Sequence, residues 1–589
     1  MRDAETVLSI IQARGKRGLP LERVYRLLFN RELYLRAYAR LYPNKGALTR
    51  GATPETVDAM SVAKIDRLID DVRHERHRWT PVWRVLIPKR NGKTRPLGIA
   101  TWKDKLLQDV MRQILEAYYE PTFSDRTHGF RPGRGCHTAL REIQVTWTGT
   151  RWFIEGDLSS YFDTISHDRL MQTLAEHIHD QRFLRLVRHL LQAGYLQAGS
   201  LQPTLSGVPQ GAILSPLLSN IYLARFDQYV ETTLIPAHTR GRTRRPNPAY
   251  QRVMRTIRTR KTAALPGIRA LRKEARTIPK GDPHDPGYRR LRSIRYADDW
   301  LLGYNGTRAE AEHLKRTLQD WLHNTLQLTL SEEKTLITHA TSTPARFLGY
   351  GLLNQQANHK RQVNGKIGLR VPYDVVQKKC AAYKRAGKPA HRAELLAESD
   401  YSIVARYQQE YRGLVQYYLL AHNVADLSEV HWVMETSLLR TLAAKHRSTA
   451  RKMRAKYKTT TRTPEGKTLR CLEVRVLRDH KPPLIARFGG ISLTRQPLAI
   501  LNDSPFVHKN RRTEILKRLL ADTCELCGSH AQIEVHHIRK MADLLRRGRR
   551  EKPAWVQRMA AMHRKTLVVC HLCHDAIHAG RPTRQPALE

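Results

Sequence analysis

A multidomain α+β chain is predicted, on three observations. Short runs of β-forming residues, Trp152-Phe153-Ile154 and Ser293-Ile294-Arg295-Tyr296, alternate with amphipathic stretches. One of these carries Leu107, Val110, Met111, Ile114, Leu115 and Tyr118 at helical spacing. Cysteine and histidine concentrate in 524–578, which marks a separate small module. The 589 residues hold 102 Lys+Arg against 54 Asp+Glu, a net charge of +48 that calls for a polyanionic partner. A hydrophobic content of 41% supports real cores and excludes a wholly disordered basic tail. No apolar run reaches the roughly 18 residues of a membrane span, so no membrane partner is expected. The N-terminus, MRDAETVLSIIQARGKRG, reads as an amphipathic helix rather than a signal peptide. A cytoplasmic or nucleoid-associated bacterial protein is expected; Asp3 and Glu5 argue against the organellar alternative.

Along the chain, residues 1–80 read as a helical extension broken at Pro43 and Pro54. Residues 81–360 mix strands with helices. Within them, 236–290 carries 16 Lys/Arg and 3 Asp/Glu, interrupted by prolines, and reads as a basic insertion in the form of an RNA-contacting or disordered loop. Residues 361–450 return to a helical pattern, 451–515 are basic and poorly periodic, and 516–589 form the terminal module.

The segment Arg295-Tyr296-Ala297-Asp298-Asp299-Trp300-Leu301-Leu302 puts two adjacent acids between apolar stretches, a hairpin with both carboxylates at its tip. Adjacent acids repel unless a cation lies between them. Asp157 ends the strand Trp152-Phe153-Ile154 in a similar setting. Two strands side by side bring Asp157, Asp298 and Asp299 together as oxygen ligands suited to Mg²⁺. A pair of such ions activates a primer 3′-hydroxyl and stabilises leaving pyrophosphate. Lys89 and Arg95 flank the tip of a basic hairpin that can close over a triphosphate.

These motifs resemble those of the group II intron-encoded reverse transcriptase/maturase family. The Tyr296-Ala297-Asp298-Asp299 tetrapeptide matches its catalytic hairpin, and Asp157 in Gly156-Asp157-Leu158-Ser159-Ser160-Tyr161-Phe162 its other metal-binding strand. The family resemblance of these motifs implies that Phe162, five residues after Asp157, lies under a sugar and excludes a 2′-hydroxyl, and that Lys334 protonates pyrophosphate. Ser206-Gly207-Val208-Pro209-Gln210-Gly211 matches the loop that supports template and incoming nucleotide, and Gln210 is a nucleotide-binding residue by that resemblance. Gly129-Phe130-Arg131-Pro132-Gly133-Arg134 also matches, and Phe347-Leu348-Gly349-Tyr350 resembles the primer grip. Tyr411-Arg412-Gly413-Leu414-Val415-Gln416-Tyr417-Tyr418 resembles the thumb, or maturase, domain, with Leu414, Tyr417 and Tyr418 read mostly as thumb core. The resemblance implies right-hand fingers and palm, a helical thumb, a basic DNA-binding region at 451–515, deoxynucleoside triphosphates as substrates, and intron RNA and target DNA as partners. It implies no particular oligomeric state.

Cys524-x-x-Cys527 and Cys570-x-x-Cys573, 42 residues apart, form a four-thiolate site of the kind that holds structural zinc. Beside them stand His536-His537 and His574, with His578 one helical turn on. This pattern resembles an HNH nuclease of ββα-metal fold. By that resemblance His537 is the general base, and His536, with His574 or His578 or both, holds a catalytic divalent ion. Thr566 takes the place of the usual central Asn, which bears on how the base is oriented.

The expected function is therefore multiple: splicing assistance, residence on the excised lariat, nicking of a DNA strand, and extension of that end by reverse transcription. A maturase without enzymatic activity is opposed by Asp157, Asp298 and Asp299; a host-recruited reverse transcriptase is opposed by the nuclease and thumb motifs. Affinity for intron RNA should fall by roughly 10³-fold or more between about 50 and about 200 mM salt, because each neutralised phosphate releases counterions. Filter binding across that range checks this; a flat response would assign the +48 to another purpose.

Overall fold

Period-two alternation in the central strands decides the architecture. The computed structural model describes residues 3–583 except 45, 89–91, 93, 198, 263–265, 357–363, 464–465, 479–480, 502–513, 542–543, 545–551 and 563. Its palm is an antiparallel sheet in the order Leu291–Tyr296, Asp299–Tyr304, Trp152–Gly156, Ile337–His339. Successive side chains of a strand point to opposite faces, and here each face feeds a different core. Ile154, Trp300 and Leu302 enter one core; Phe153, Ile294 and Leu301 enter the other.

The first core extends to the N-terminal helices Ala4–Lys16, Arg31–Leu41 and Val62–Arg73 and to the long helix Trp102–Tyr119. In that helix Leu107, Val110, Met111, Ile114, Leu115 and Tyr118 are all buried, as their spacing requires. Thr101 starts it by accepting a hydrogen bond from the Asp104 amide. The helices Ser215–Tyr229 and Arg308–Leu326 cover the same palm face, with Tyr229 stacked on Trp321 at 4.4 Å.

The second core joins the palm to the thumb helices Tyr373–Ala381, Asp400–Tyr417 and Leu427–Lys445. Tyr411, Val415 and Tyr418 are buried there, whereas Leu414 and Tyr417 are half-buried at its edge. The Tyr417 and Tyr418 hydroxyls donate to the carbonyls of Leu348 and Gly349, at 2.6 and 3.0 Å, and so hold the turn of the Phe347-Leu348-Gly349-Tyr350 segment.

The fingers sheet runs Thr94–Ile99, Val82–Pro88, Tyr195–Gln197, Ser200–Gln202. The 236–290 insertion, read in sequence as a loop, contains two packed helices, Pro248–Thr262 and Ile268–Thr277. Basic residues on most faces of the first hide its helical period, whereas the second carries Ile268, Leu271 and Ala275 on one face and Arg269, Arg272, Lys273 and Arg276 on the other. Beyond the thumb, helix Ala450–Tyr457 leads into a three-stranded meander, Lys458–Arg462, Thr468–Arg478 and Lys481–Gly489. Its core face is only Leu472, Val474, Ala486 and Phe488, with Arg475 and Arg487 exposed and paired to Glu473. The strand period is carried by the short alternation Leu472-Glu473-Val474-Arg475-Val476, set in a stretch whose basic residues otherwise dominate. Among the described residues no helix is long and apolar enough to cross a membrane.

One glycine sets the tightest contact in the palm. A Cβ on Gly156 would lie 2.1 Å from the Trp300 ring on the neighbouring strand. Gly156→Ala should therefore destabilise the palm by about 1–3 kcal/mol, the usual cost of overpacking, visible as a lowered thermal midpoint in calorimetry. An unchanged midpoint would mean that Trp300 can move aside.

Candidate active sites

The palm acids lie at strand ends, just beyond the reach of both cores. Gly156 pairs with Trp300 and Tyr296 with Asp299, so Asp157 emerges beside the two-residue turn that carries Asp298. Ala297 in that turn adopts φ 57°, a left-handed conformation uncommon outside glycine. Buried Arg295 supports it, donating to both Asp227 carboxylate oxygens at 2.8 and 2.5 Å and to the Ala297 carbonyl at 2.8 Å. The Gly129 loop presses on the turn so closely that a Cβ there would be 2.3 Å from the Ala297 nitrogen. Its neighbour Arg131 is also structural, ion-paired to Glu120 and bonded to the carbonyls of Ser124 and Thr127.

Crowding marks this acid cluster. Burial, then the charges of Asp298 and Asp157, push the Asp299 carboxyl up to about 7, and a hydrogen bond with Asp157 adds to the shift. Burial and Asp157 also raise Asp298, opposed by Arg95 and Lys334. Lys334 Nζ lies 2.7 Å from an Asp157 oxygen, and this bond raises the lysine. One lysine against three carboxylates leaves a negative site of oxygen donors, a set that suits hard divalent cations.

Arg95, Gln210 and Asp163 form a chain of contacts beside the acids. Arg95 Nε donates to Gln210 Oε1 at 3.0 Å, and Gln210 Nε2 lies 3.3 Å from an Asp163 oxygen. Phe162 is half-buried against the first core, edge-on to Tyr161, and its carbonyl accepts from the Val208 amide at 2.7 Å. Lys89, named with Arg95 from the sequence, lies outside the described residues.

The C-terminal module is a hairpin, Ile533–His537 and Thr566–Cys570, followed by helix His571–His578. The sulfurs of Cys524, Cys527, Cys570 and Cys573 lie within 4.8 Å of one another, Cys527 and Cys570 at 3.6 Å. Thiolates about 2.3 Å from a tetrahedral zinc sit about 3.8 Å apart, so the set fits that ion. A second cluster holds His536, His574 and His578, as the sequence suggested, together with Asp58 from the N-terminal helical region. Both His536 ring nitrogens are buried with no hydrogen-bond partner among the described residues, as expected of a ligand waiting for an ion. Burial holds His536 and His537 down at about 4, so both are neutral at pH 7, the form needed in a metal ligand or a base. Burial opposes ionisation of Asp58, yet the His574 hydrogen bond and the His536 charge keep its carboxyl well below the usual range.

His537 itself faces away from the open side. It is 8% exposed, its Nε2 lies 3.4 Å from the Tyr38 hydroxyl and its Nδ1 3.2 Å from the Val535 carbonyl. Thr566 pairs with His537 across the hairpin, but its Oγ1 accepts from Arg518 at 3.2 Å, so the His537 ring is held by Val535 and Tyr38 instead. Asp58, Tyr38 and the Arg295–Asp227 pair were not named from sequence. Asp58 belongs to no motif and could not have been found there; Arg295 lay inside the hairpin motif but reads as an ordinary strand residue.

Three family models match the chain: Reverse transcriptase (RNA-dependent DNA polymerase) over residues 87–352, Type II intron maturase over 374–481, and AI2M/AI1M-like, HNH endonuclease over 524–574. The Group II intron-encoded protein LtrA of Lactococcus lactis subsp. cremoris is 36% identical, covering 94% of this chain and 95% of that protein. The Putative COX1/OXI3 intron 1 protein of Saccharomyces cerevisiae is 31% identical over 94% of this chain and 69% of its own length. Protein YkfC of Escherichia coli is 33% identical over 58% of this chain and 86% of its own.

The two metal clusters predict different variants. Cys524→Ser should release zinc and unfold the C-terminal module, because metal binding supplies much of the folding free energy of so small a unit. His537→Ala should leave zinc content unchanged, since His537 is not among the four clustered cysteines. Elemental analysis with circular dichroism on both variants checks this, and zinc loss from His537→Ala would make that histidine structural.

Proposed function

The chain belongs to the group II intron-encoded reverse transcriptase/maturase family, and from that premise we propose that it works as a ribonucleoprotein with its own excised intron RNA. It has the family's reverse transcriptase, maturase and HNH endonuclease domains. In this reading the protein assists splicing, remains on the lariat, nicks one strand of a DNA target and extends the new 3′ end with the intron as template. The observation that carries it is the hairpin presenting Asp298 and Asp299 beside Asp157, in a chain that also holds the histidine cluster.

At the palm, Asp157, Asp298 and Asp299 would hold divalent ions, Mg²⁺ in this reading. When bound, such ions favour ionisation of the primer 3′-hydroxyl and neutralise the triphosphate. Arg95, braced by Gln210, meets the triphosphate from the fingers, with Lys89 at the same hairpin. Phe162 faces the sugar and disfavours a 2′-hydroxyl. Lys334 lies next to the acids, where it can pass a proton to departing pyrophosphate. In the nuclease module His536, His574 and His578 would hold a divalent ion, and zinc would sit on the four cysteines. His537 then accepts the proton of the attacking water. The surplus of lysine and arginine follows phosphates of RNA and of target DNA, with the thumb and the 1–80 extension gripping folded intron RNA and the 451–515 region contacting DNA.

Asp298→Ala and Asp299→Ala should each lower primer extension by about 10³-fold, since metal-ion stabilisation is worth several kcal/mol and each ~1.4 kcal/mol is tenfold. Intron RNA affinity should stay within about twofold, because the cations that carry it lie elsewhere. Extension of a labelled primer on an RNA template checks this; near-normal extension by both variants would refute the assignment.

A further inference from the structure

Asp58 lies on a segment of the N-terminal domain that docks on the free edge of the nuclease hairpin. The Ala59 amide donates to the Val535 carbonyl at 3.0 Å, and the Val535 amide donates to the Met60 carbonyl at 2.9 Å. Met60 and Val535 thus form an antiparallel bridge, adding a third strand-like segment to a two-stranded sheet. Ala59 takes φ 57°, which turns the chain so that Asp58 enters the module.

The carboxylate lands among the three histidines. Its Oδ2 is 2.8 Å from His578 Nε2, and its Oδ1 is 3.3 Å from His574 Nε2 and 3.6 Å from His536 Nδ1. The His574 and His578 Nε2 atoms are 3.3 Å apart. Donors about 2.1 Å from a tetrahedral ion lie about 3.4 Å from one another. The four side chains therefore match a closed four-coordinate shell. Catalytic sites of this kind keep one position open for water or substrate, and here a carboxylate fills it. The same docking covers the base: Tyr38 and Tyr42 pack on His537, whose amide also donates to Asp58 Oδ1 at 2.7 Å.

We propose that Asp58 is a displaceable fourth ligand of the nuclease's divalent ion, holding the module shut against the N-terminal domain until an oxygen of the DNA phosphate takes its place. This rests on the nuclease reading of His536, His537, His574 and His578. The exchange is of one anionic oxygen for another, so no charge is left unmatched at the ion, and the movement that withdraws Asp58 also uncovers His537.

The test uses the full-length, zinc-loaded protein and two readouts. Co²⁺ is the probe; on the histidine cluster it should give the intense visible absorption of a four-coordinate ion, whereas ions on the palm carboxylates absorb weakly. Asp58→Ala should weaken that binding by about tenfold or more and replace the band by the weak one of a five- or six-coordinate ion. A wild-type spectrum that is already weak and that Asp58→Ala leaves unchanged would overturn Asp58 as a ligand. The second readout is nicking of a labelled duplex by protein free of RNA. Asp58→Ala and Ala59→Pro should each raise the rate several-fold, the latter because proline lacks the N–H that binds Val535 and cannot adopt a positive φ. Primer extension and zinc content, unchanged, report that the variants are folded; Asp58→Asn replaces the alanine variant should it fail that check. Loss of nicking in all of these variants would make Asp58 a permanent ligand and overturn its displacement. If the wild-type ribonucleoprotein does not nick at all, the nuclease reading fails on its own, and the cobalt spectrum still decides whether Asp58 is a ligand.

Discussion

The structure depends on a palm sheet buried on both faces. Its strands are too short to stand alone, and each alternate side chain belongs to a different hydrophobic core. Moving one strand by a single residue would exchange the two sets, so the register is held from both sides at once. Gly156 against Trp300 is the point where this register is read most closely, because only a residue without Cβ lets the two strands meet. The acids are a direct consequence. Asp157, Asp298 and Asp299 stand where the strands run out and neither core covers them, close enough to repel yet still partly sheltered from water.

Electrostatics then works with opposite signs at the two sites. At the palm, burial and neighbouring carboxylate charge drive Asp298 and Asp299 toward the protonated form, and a cation relieves that repulsion. In the C-terminal module burial removes charge from His536 and His537, and neutral imidazole is the form that binds a metal or accepts a proton. A chain with net charge +48 thus concentrates negative charge at one centre and suppresses positive charge at the other.

The N-terminal helices connect these centres. Helix Arg31–Leu41 packs on the long helix Trp102–Tyr119 behind the palm, and through Tyr38 it also touches His537. The first core is continuous from the palm to Val535 and Val568 of the module hairpin. The N-terminal domain thus shares its core with both the palm and the C-terminal module, whereas the thumb helices share the other core and contact the Leu348–Gly349 turn.

Much of the local structure was legible in the sequence, because it is written in short-range patterns. The helix through Leu107 and Tyr118, the Asp298-Asp299 hairpin and the paired cysteines each rest on residues a few positions apart, where steric periodicity and metal-ligand spacing act directly. The meander at 458–489 reads as poorly periodic although Leu472-Glu473-Val474-Arg475-Val476 alternates, because one short alternating run does not say which strands flank it. In 236–290 the first helix lacks a clear period, whereas the second, with Ile268, Leu271 and Ala275 on one face, carries one. What the tertiary structure alone decided is which surfaces meet. Periodicity says that a face is buried and not what buries it, so nothing near Asp58 pointed to His578, 520 residues further along the chain. That contact exists because one helical domain packs behind the palm and beside the nuclease hairpin, and such a relation follows from the shapes of folded surfaces, which no local stretch of sequence contains.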